Sequence, residues 1–211
     1  ITQGVHTLCD RALLDAVAVY VGHDQAADLV IDEQQLEDAL SGVTALADAG
    51  HKVDVISGPP YPDLDSRVRL IQLPSLDLFE NGLTSLRPRH LKSLTNIIEW
   101  TSKLTGGFAE PYTFGRRAVA YLGQHGHEYD LIHDNQSLSY GMLQLQEMGL
   151  PLVTTLHHPI TSDLRIALSA ARSWHERLLI RRWHSFTEPA APKFRSICFK
   201  VDALRKDGSL G

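Results

Sequence analysis

Cysteine is almost absent from this 211-residue chain. Cys9 and Cys198 lie far apart and in no metal-ligand spacing, which argues against a disulfide framework and a thiolate metal site. Two reduced thiols are what a cytosolic protein carries, and a cytoplasmic location is the expectation. Long apolar runs are missing too. Nothing approaches the roughly 20 consecutive apolar residues of a membrane-spanning helix. There is no basic surplus: 20 Lys and Arg stand against 25 Asp and Glu, a net charge of −5. A nucleic-acid partner, which needs a strongly basic surface, is therefore not expected. The opening run ITQGVHTLCD has neither the basic nor the apolar region of a secretory leader. It also lacks an initiator Met, so the true start is expected to lie further upstream. The sequence contains no HExxH, no GxSxG and no GxxxxGK[ST] pattern, which removes the best-marked zinc protease, α/β-hydrolase and P-loop readings.

Hydrophobic residues make up 43% of the chain, enough for an ordinary core. The alternation of VDVIS (53–57) and of RVRLIQL (67–73) predicts two strands. Between residues 43 and 52 the spacing is helical, with Gly50 as the stop. Helices are predicted over 90–103, over 113–126 with Thr113 as its N-cap, over 137–148, and from about 162 to 186. Strands are predicted over 130–133 and 152–156. This β-α-β-α order with short loops predicts an α/β fold built on a doubly wound parallel sheet. The first 42 residues are harder to place. Arg11 to Val21 (RALLDAVAVYV) reads as a helix running into a strand, or as either alone, and Asp32 to Leu40 as an acidic helix start. The tail after Phe186 reads as a Pro/Ala linker, a lone strand and a frayed end.

Two strand ends carry the chemistry. LPLVTTLHHPIT stops at His157 and His158. DLIHDNQS hands over to His133, Asp134, Asn135 and Gln136. In a parallel α/β sheet ligands occupy the crevice beyond the carboxyl ends of the strands. Amide and imidazole groups offer a hydroxyl-rich ligand donors and acceptors together. A purely local role competes for Asp134 and Asn135: an Asx turn leading into a helix capped by Ser137. Thr105-Gly106-Gly107-Phe108 is a weak phosphate-loop candidate, because it follows a helix where phosphate cradles follow a strand. The chain has eleven histidines. His125 and His127 lack a third ligand at a telling spacing, so no metal is expected. Arg165, Arg172, Arg177, Arg181 and Arg182 form a basic helical stretch. It reads first as a solvated face, and more sharply as a peripheral contact for an anionic membrane.

The segments ALADAGHKVDVISGPPYPDLDSRVRLIQLPSLDLF, TGGFAEPYTFGRRAVAYL, YDLIHDNQSLSYGML and LPLVTTLHHPIT, in that order, resemble the amino-terminal domain of family-four glycosyltransferases. The resemblance covers about residues 43–186. It implies one Rossmann-like half of a GT-B fold and a retaining transfer of sugar from a nucleotide-sugar co-substrate to a hydroxyl acceptor. That acceptor is a sugar, a polyol or a lipid-linked group. It implies no bound metal or other cofactor. By resemblance His157 lies near the reacting centre as the catalytic candidate. His133, Asp134, Asn135, Gln136 and His158 form the acceptor wall. Two departures stand out. The family's first strand and Gly-rich turn have no clear match in residues 1–42. After Phe186 the family continues into a donor-binding domain, whereas residues 187–211 read as linker and tail. The expectation is an acceptor-binding half, inactive alone. A non-enzymatic or remnant Rossmann-like binding domain is the alternative, and a metal-dependent hydrolase is the outsider.

Overall fold

The structure is a computed structural model. It describes residues 17–21, 25–26, 29–30, 33–78, 82, 86–135, 137, 139–155 and 160–186. Strand β1 is Val17–Val21, and β2 (Gln25–Ala26) and β3 (Leu29–Val30) form a short antiparallel ladder. Helix α1 (Glu33–Asp48) leads to β4 (Val53–Ser57) and β5 (Arg69–Gln72). A 3-10 turn at Pro88–Lys92 precedes α2 (Leu94–Leu104) and α3 (Glu110–His125). Then come β6 (Leu131–Asn135), α4 (Tyr140–Glu147), β7 (Leu152–Thr155), α5 (Ile160–Ala170) and α6 (Trp174–Trp183).

Five strands make one parallel sheet in the order β5-β4-β1-β6-β7. Numbered along the sheet's own strands this is 3-2-1-4-5, the doubly wound order. Strand β1 is its centre, so the VAVYV half of the ambiguous Arg11 to Val21 run fills the middle of the sheet. Residues 11–16 lie outside the described residues.

The alternation along β4 explains the two-faced core. All five of its residues are buried. Val53 and Val55 pack with Val43, Leu46 and Val68 on the α1 side. Ile56 joins Phe114, Ala118, Leu122, Ile132, Met142 and Leu145 on the α3–α4 side. A side chain such as Ile132 or Leu145, fully removed from water, contributes about 1.5–3 kcal/mol. Helix α1 stops where the sequence predicts. Gly50, at φ 90°, closes a Schellman turn in which Gly50 N donates to Ala47 O and His51 N to Leu46 O, each at 3.1 Å.

Several boundaries differ from expectation, each for a local reason. Helix α3 begins at Glu110, with Pro111 in its first turn, where a missing N–H costs nothing. Thr113 is therefore inside the helix and not its cap. Its hydroxyl donates to Glu99 Oε1 at 2.6 Å. Helix α4 is capped by Ser139, whose Oγ accepts from Gly141 N at 3.1 Å, and not by Ser137. The helix predicted over 90–103 is interrupted at Ser93, which is extended. Strand β7 is half-buried throughout and not buried on both faces, because among the described residues it is an edge strand with β6 as its only neighbour. The Gly-rich run is no phosphate cradle. The amides of Thr105, Gly106 and Gly107 all donate to carbonyls of Ser102 and Lys103 and close α2.

Glu110 is a poorly solvated carboxyl in this frame. Its Oε1 is buried without a hydrogen-bond partner. Burial above all, with the Glu99 charge adding to it, pushes its pKa up to about 7 from an ordinary 4.5. Between those two values the folded chain holds a proton that the unfolded chain releases. Stability therefore falls as pH rises through that window and levels off above it. The full effect is of the order of 3 kcal/mol, from 1.36 kcal/mol per unit of pKa. Glu110→Gln is expected to flatten this slope. Urea midpoints at pH 5 and pH 8 check it, and a variant that loses as much stability as the wild type on that rise would refute it.

Candidate functional site

The register across the sheet sets its carboxyl edge. Gln72 pairs with Ser57, Ser57 with Val21, Val21 with Asn135, and Asn135 with Thr155. These five residues end the five strands on one level row. Four of the five are polar, although strand interiors here are mostly apolar. Gln72 is exposed. Ser57 is fully buried and donates its hydroxyl to Gly58 O at 2.8 Å, so it serves the turn.

Around β6 and β7 the row becomes a cluster. His133 and Asn135 share one face of β6, as residues two apart in a strand do. The His133 imidazole meets Thr155 Oγ1 through Nε2 at 2.8 Å, which ties the ends of the two strands together. Asn135 is 4% exposed at the strand's end. An amide, an imidazole and a hydroxyl thus converge on one lip. Each can both donate and accept, the property a ligand rich in hydroxyl groups requires.

Asp134 points to the opposite face. It is wholly buried, and its Oδ1 accepts from Ser137 N at 3.0 Å. Burial pushes its pKa up to about 6, against the Ser137 and Thr154 contacts that favour the charged form. The local role considered for Asp134 is the one its geometry takes: it shapes the turn from β6 into α4. The structure therefore brings His133 and Asn135 together with Thr155, a residue that sequence reasoning passed over. Its position as the last strand residue before Leu156-His157 was the available signal. Gln136, His157 and His158 lie outside the described residues. Among the described residues no group of three or more His, Cys, Asp or Glu side chains is placed to hold a metal ion. None of the described helices is long and apolar enough to cross a membrane.

A second polar cluster lies behind the β4–β5 end of the row. Glu99, 2% exposed, receives Thr113 Oγ1, Arg117 Nη1 at 2.5 Å and the Leu76 amide at 3.1 Å. Arg117 Nη2 also donates to Asn96 Oδ1 at 2.9 Å. The Glu99 carboxylate thereby joins α2, α3 and the loop that follows β5.

The strand order and the polar carboxyl edge define a doubly wound parallel α/β domain with a candidate ligand crevice along that edge. The chain belongs to Glycosyltransferase Family 4, whose model matches residues 43–191. Its sheet is the Rossmann-like half of a GT-B fold that this family implies. The chain is similar to an MMP alpha-(1->4)-mannosyltransferase of Mycolicibacterium hassiacum, with 46% identity over 146 residues. That match covers 68% of this chain and 35% of the relative, so the chain spans about a third of the length of the curated protein it matches.

Proposed function

We propose that this chain is the acceptor-binding part of a retaining glycosyltransferase that moves mannose from a nucleotide-sugar to a sugar hydroxyl. The observation that carries the reading is the lip formed by His133, Asn135 and Thr155 at the carboxyl edge. The relative's mannosyl transfer supplies the sugar. His133 and Asn135 bind the acceptor, and the family resemblance assigns Gln136 and His158 to the acceptor and His157 to catalysis. Asp134 acts as a positioning residue through Ser137. Transition-state stabilisation at the leaving diphosphate belongs to groups outside these residues, so the chain alone is expected to bind acceptor without turnover. Peripheral contact with an anionic membrane is assigned to α6. There Trp174 and Leu178, 68% and 60% exposed, share one side with Arg177 and Arg181 at helical spacing.

The test is a titration of the chain with an α-(1→4)-linked mannotetraose, followed by calorimetry or amide NMR shifts. Asn135→Ala is expected to weaken binding about tenfold, the loss of about 1.4 kcal/mol. Affinity unchanged in that variant would overturn the placement of the site. Sugar transfer by the isolated chain, given a mannose nucleotide-sugar, would overturn the division of labour.

A further inference from the structure

Arg67, Arg69 and Arg117 each have an acid beside them: Asp48 and Asp65, Asp54, and Glu99. The turn at the head of α2 is different. Between Gly82 and Ile98 the sequence holds no acidic residue, in a chain whose net charge is −5. That stretch carries Arg87, Arg89 and Lys92, all exposed. Among the described residues none of these three has a carboxylate partner. Two leucines stand among them in the open, Leu91 at 41% and Leu94 at 63% exposure.

The turn is tied down from behind. His90 Nδ1 accepts from the Arg87 amide at 3.3 Å, and Asn96 Nδ2 donates to His90 O at 3.1 Å. Asn96 Oδ1 in turn accepts from Arg117 Nη2 at 2.9 Å, and Arg117 is the partner of buried Glu99. The cations and the leucines are left facing water, and nothing in Pro88–Lys92 is buried. A run exposed at Arg87, Pro88, Arg89, Leu91, Lys92 and Leu94 is a ridge. Peptide partners that dock as a helix or an added strand require a groove or a free strand edge. Cations interleaved with leucines on a ridge suit a surface that is negative outside and apolar beneath.

We propose that the 87–94 turn docks on an anionic lipid surface, with Arg87, Arg89 and Lys92 at the headgroups and Leu91 and Leu94 inserted below them. The inference rests on the membrane-contact reading of α6 for its kind of partner, and adds a separate contact at the head of α2. Each cation beside such a surface raises partitioning about fivefold, so three of them give reversible attachment and not permanent anchorage. Three cations neutralise too few phosphates to hold a nucleic acid tightly.

The experiment measures co-sedimentation of the chain with vesicles of phosphatidylcholine alone and of phosphatidylcholine mixed with phosphatidylglycerol. The wild type is compared with Arg87→Gln/Arg89→Gln/Lys92→Gln, with Leu94→Ser and with Arg177→Gln/Arg181→Gln. Binding to the anionic vesicles is expected to fall at least about tenfold in the triple variant and about fivefold in Leu94→Ser, and to weaken with added salt. The substituted side chains are all exposed, so melting temperatures should stay near wild type. Binding that is lost in Arg177→Gln/Arg181→Gln but unchanged in the triple variant overturns this turn and leaves the α6 contact standing. The reverse pattern supports the turn and removes α6. Equal binding to phosphatidylcholine alone overturns the lipid assignment, and so does polyglutamate bound as tightly as the anionic vesicles. If the wild type binds neither kind of vesicle, both readings fall.

Discussion

Arg117→Ala is expected to destabilise the chain by about 3–5 kcal/mol, the range for removing one partner of a buried ion pair. The partner left behind is Glu99, 2% exposed, and Arg117 itself is only 14% exposed. Without the guanidinium, Glu99 keeps the Thr113 hydroxyl and the Leu76 amide, two neutral donors against a full charge. It would then have to take up a proton or draw in water, and either response disturbs the α2–α3 junction. The loss corresponds to a midpoint fall of roughly 10 °C for a chain of this size. Thermal melts of Arg117→Ala beside Glu99→Gln/Arg117→Met test the cause. The double variant leaves no unpaired charge and should recover most of the loss, because apolar or neutral replacements of a whole buried pair are often well tolerated. A single-variant loss below about 1 kcal/mol would show that the pair is a surface contact in solution.

This ion pair also shows where sequence reading stops. Lone glutamates such as Glu99 and Glu110 carry no local pattern. Arg117 is 18 residues from Glu99 on a different helix, and only the packing of α2 against α3 brings them together. Strands β4 and β5 were legible because their alternation is strong and their flanking Gly, Pro and Asp residues bound them. The end of α1 was legible because Gly50 supplies a backbone conformation that few other residues adopt. Strand β1 was legible only as an apolar run. Helix and strand compete for AVAVYV until β4 and β6 offer hydrogen bonds on both sides.

At the site, the strand-end rule pointed to residues 133–136 but did not sort them by face. Alternation puts His133 and Asn135 on one side and turns Asp134 inward. Thr155 looked like one more β-branched strand residue. Its partnership with His133 depends on the β6–β7 register, which single-sequence periodicity does not contain.

Gly141→Ala sets two effects of opposite sign against each other. Helix propensity alone favours the alanine by up to about 1 kcal/mol. The packing of α3 on α4 opposes it. A Cβ on Gly141 would lie 2.4 Å from Gly115 O and 2.8 Å from Gly115 Cα, and these are backbone atoms that no rotamer change can move. Either the helices separate or the first turn of α4 shifts. Overpacking of this kind costs about 1–3 kcal/mol and more where backbone must give, so the net outcome is a loss of about 2 kcal/mol despite the better helix former. The damage should reach the site, because the displaced turn carries Ser139, and the Ser137 amide held by Asp134 lies just before it. Tetraose affinity is expected to fall along with the melting temperature. Gly123→Ala, on the facing helix α3, is the control. Its Cβ would meet only Met148 Cε at 3.4 Å, the end of a flexible side chain, so propensity should win and stability should hold or rise. Equal stability of the two alanine variants in urea would mean that α3 and α4 do not cross at Gly115 and Gly141 as closely as the structure has them.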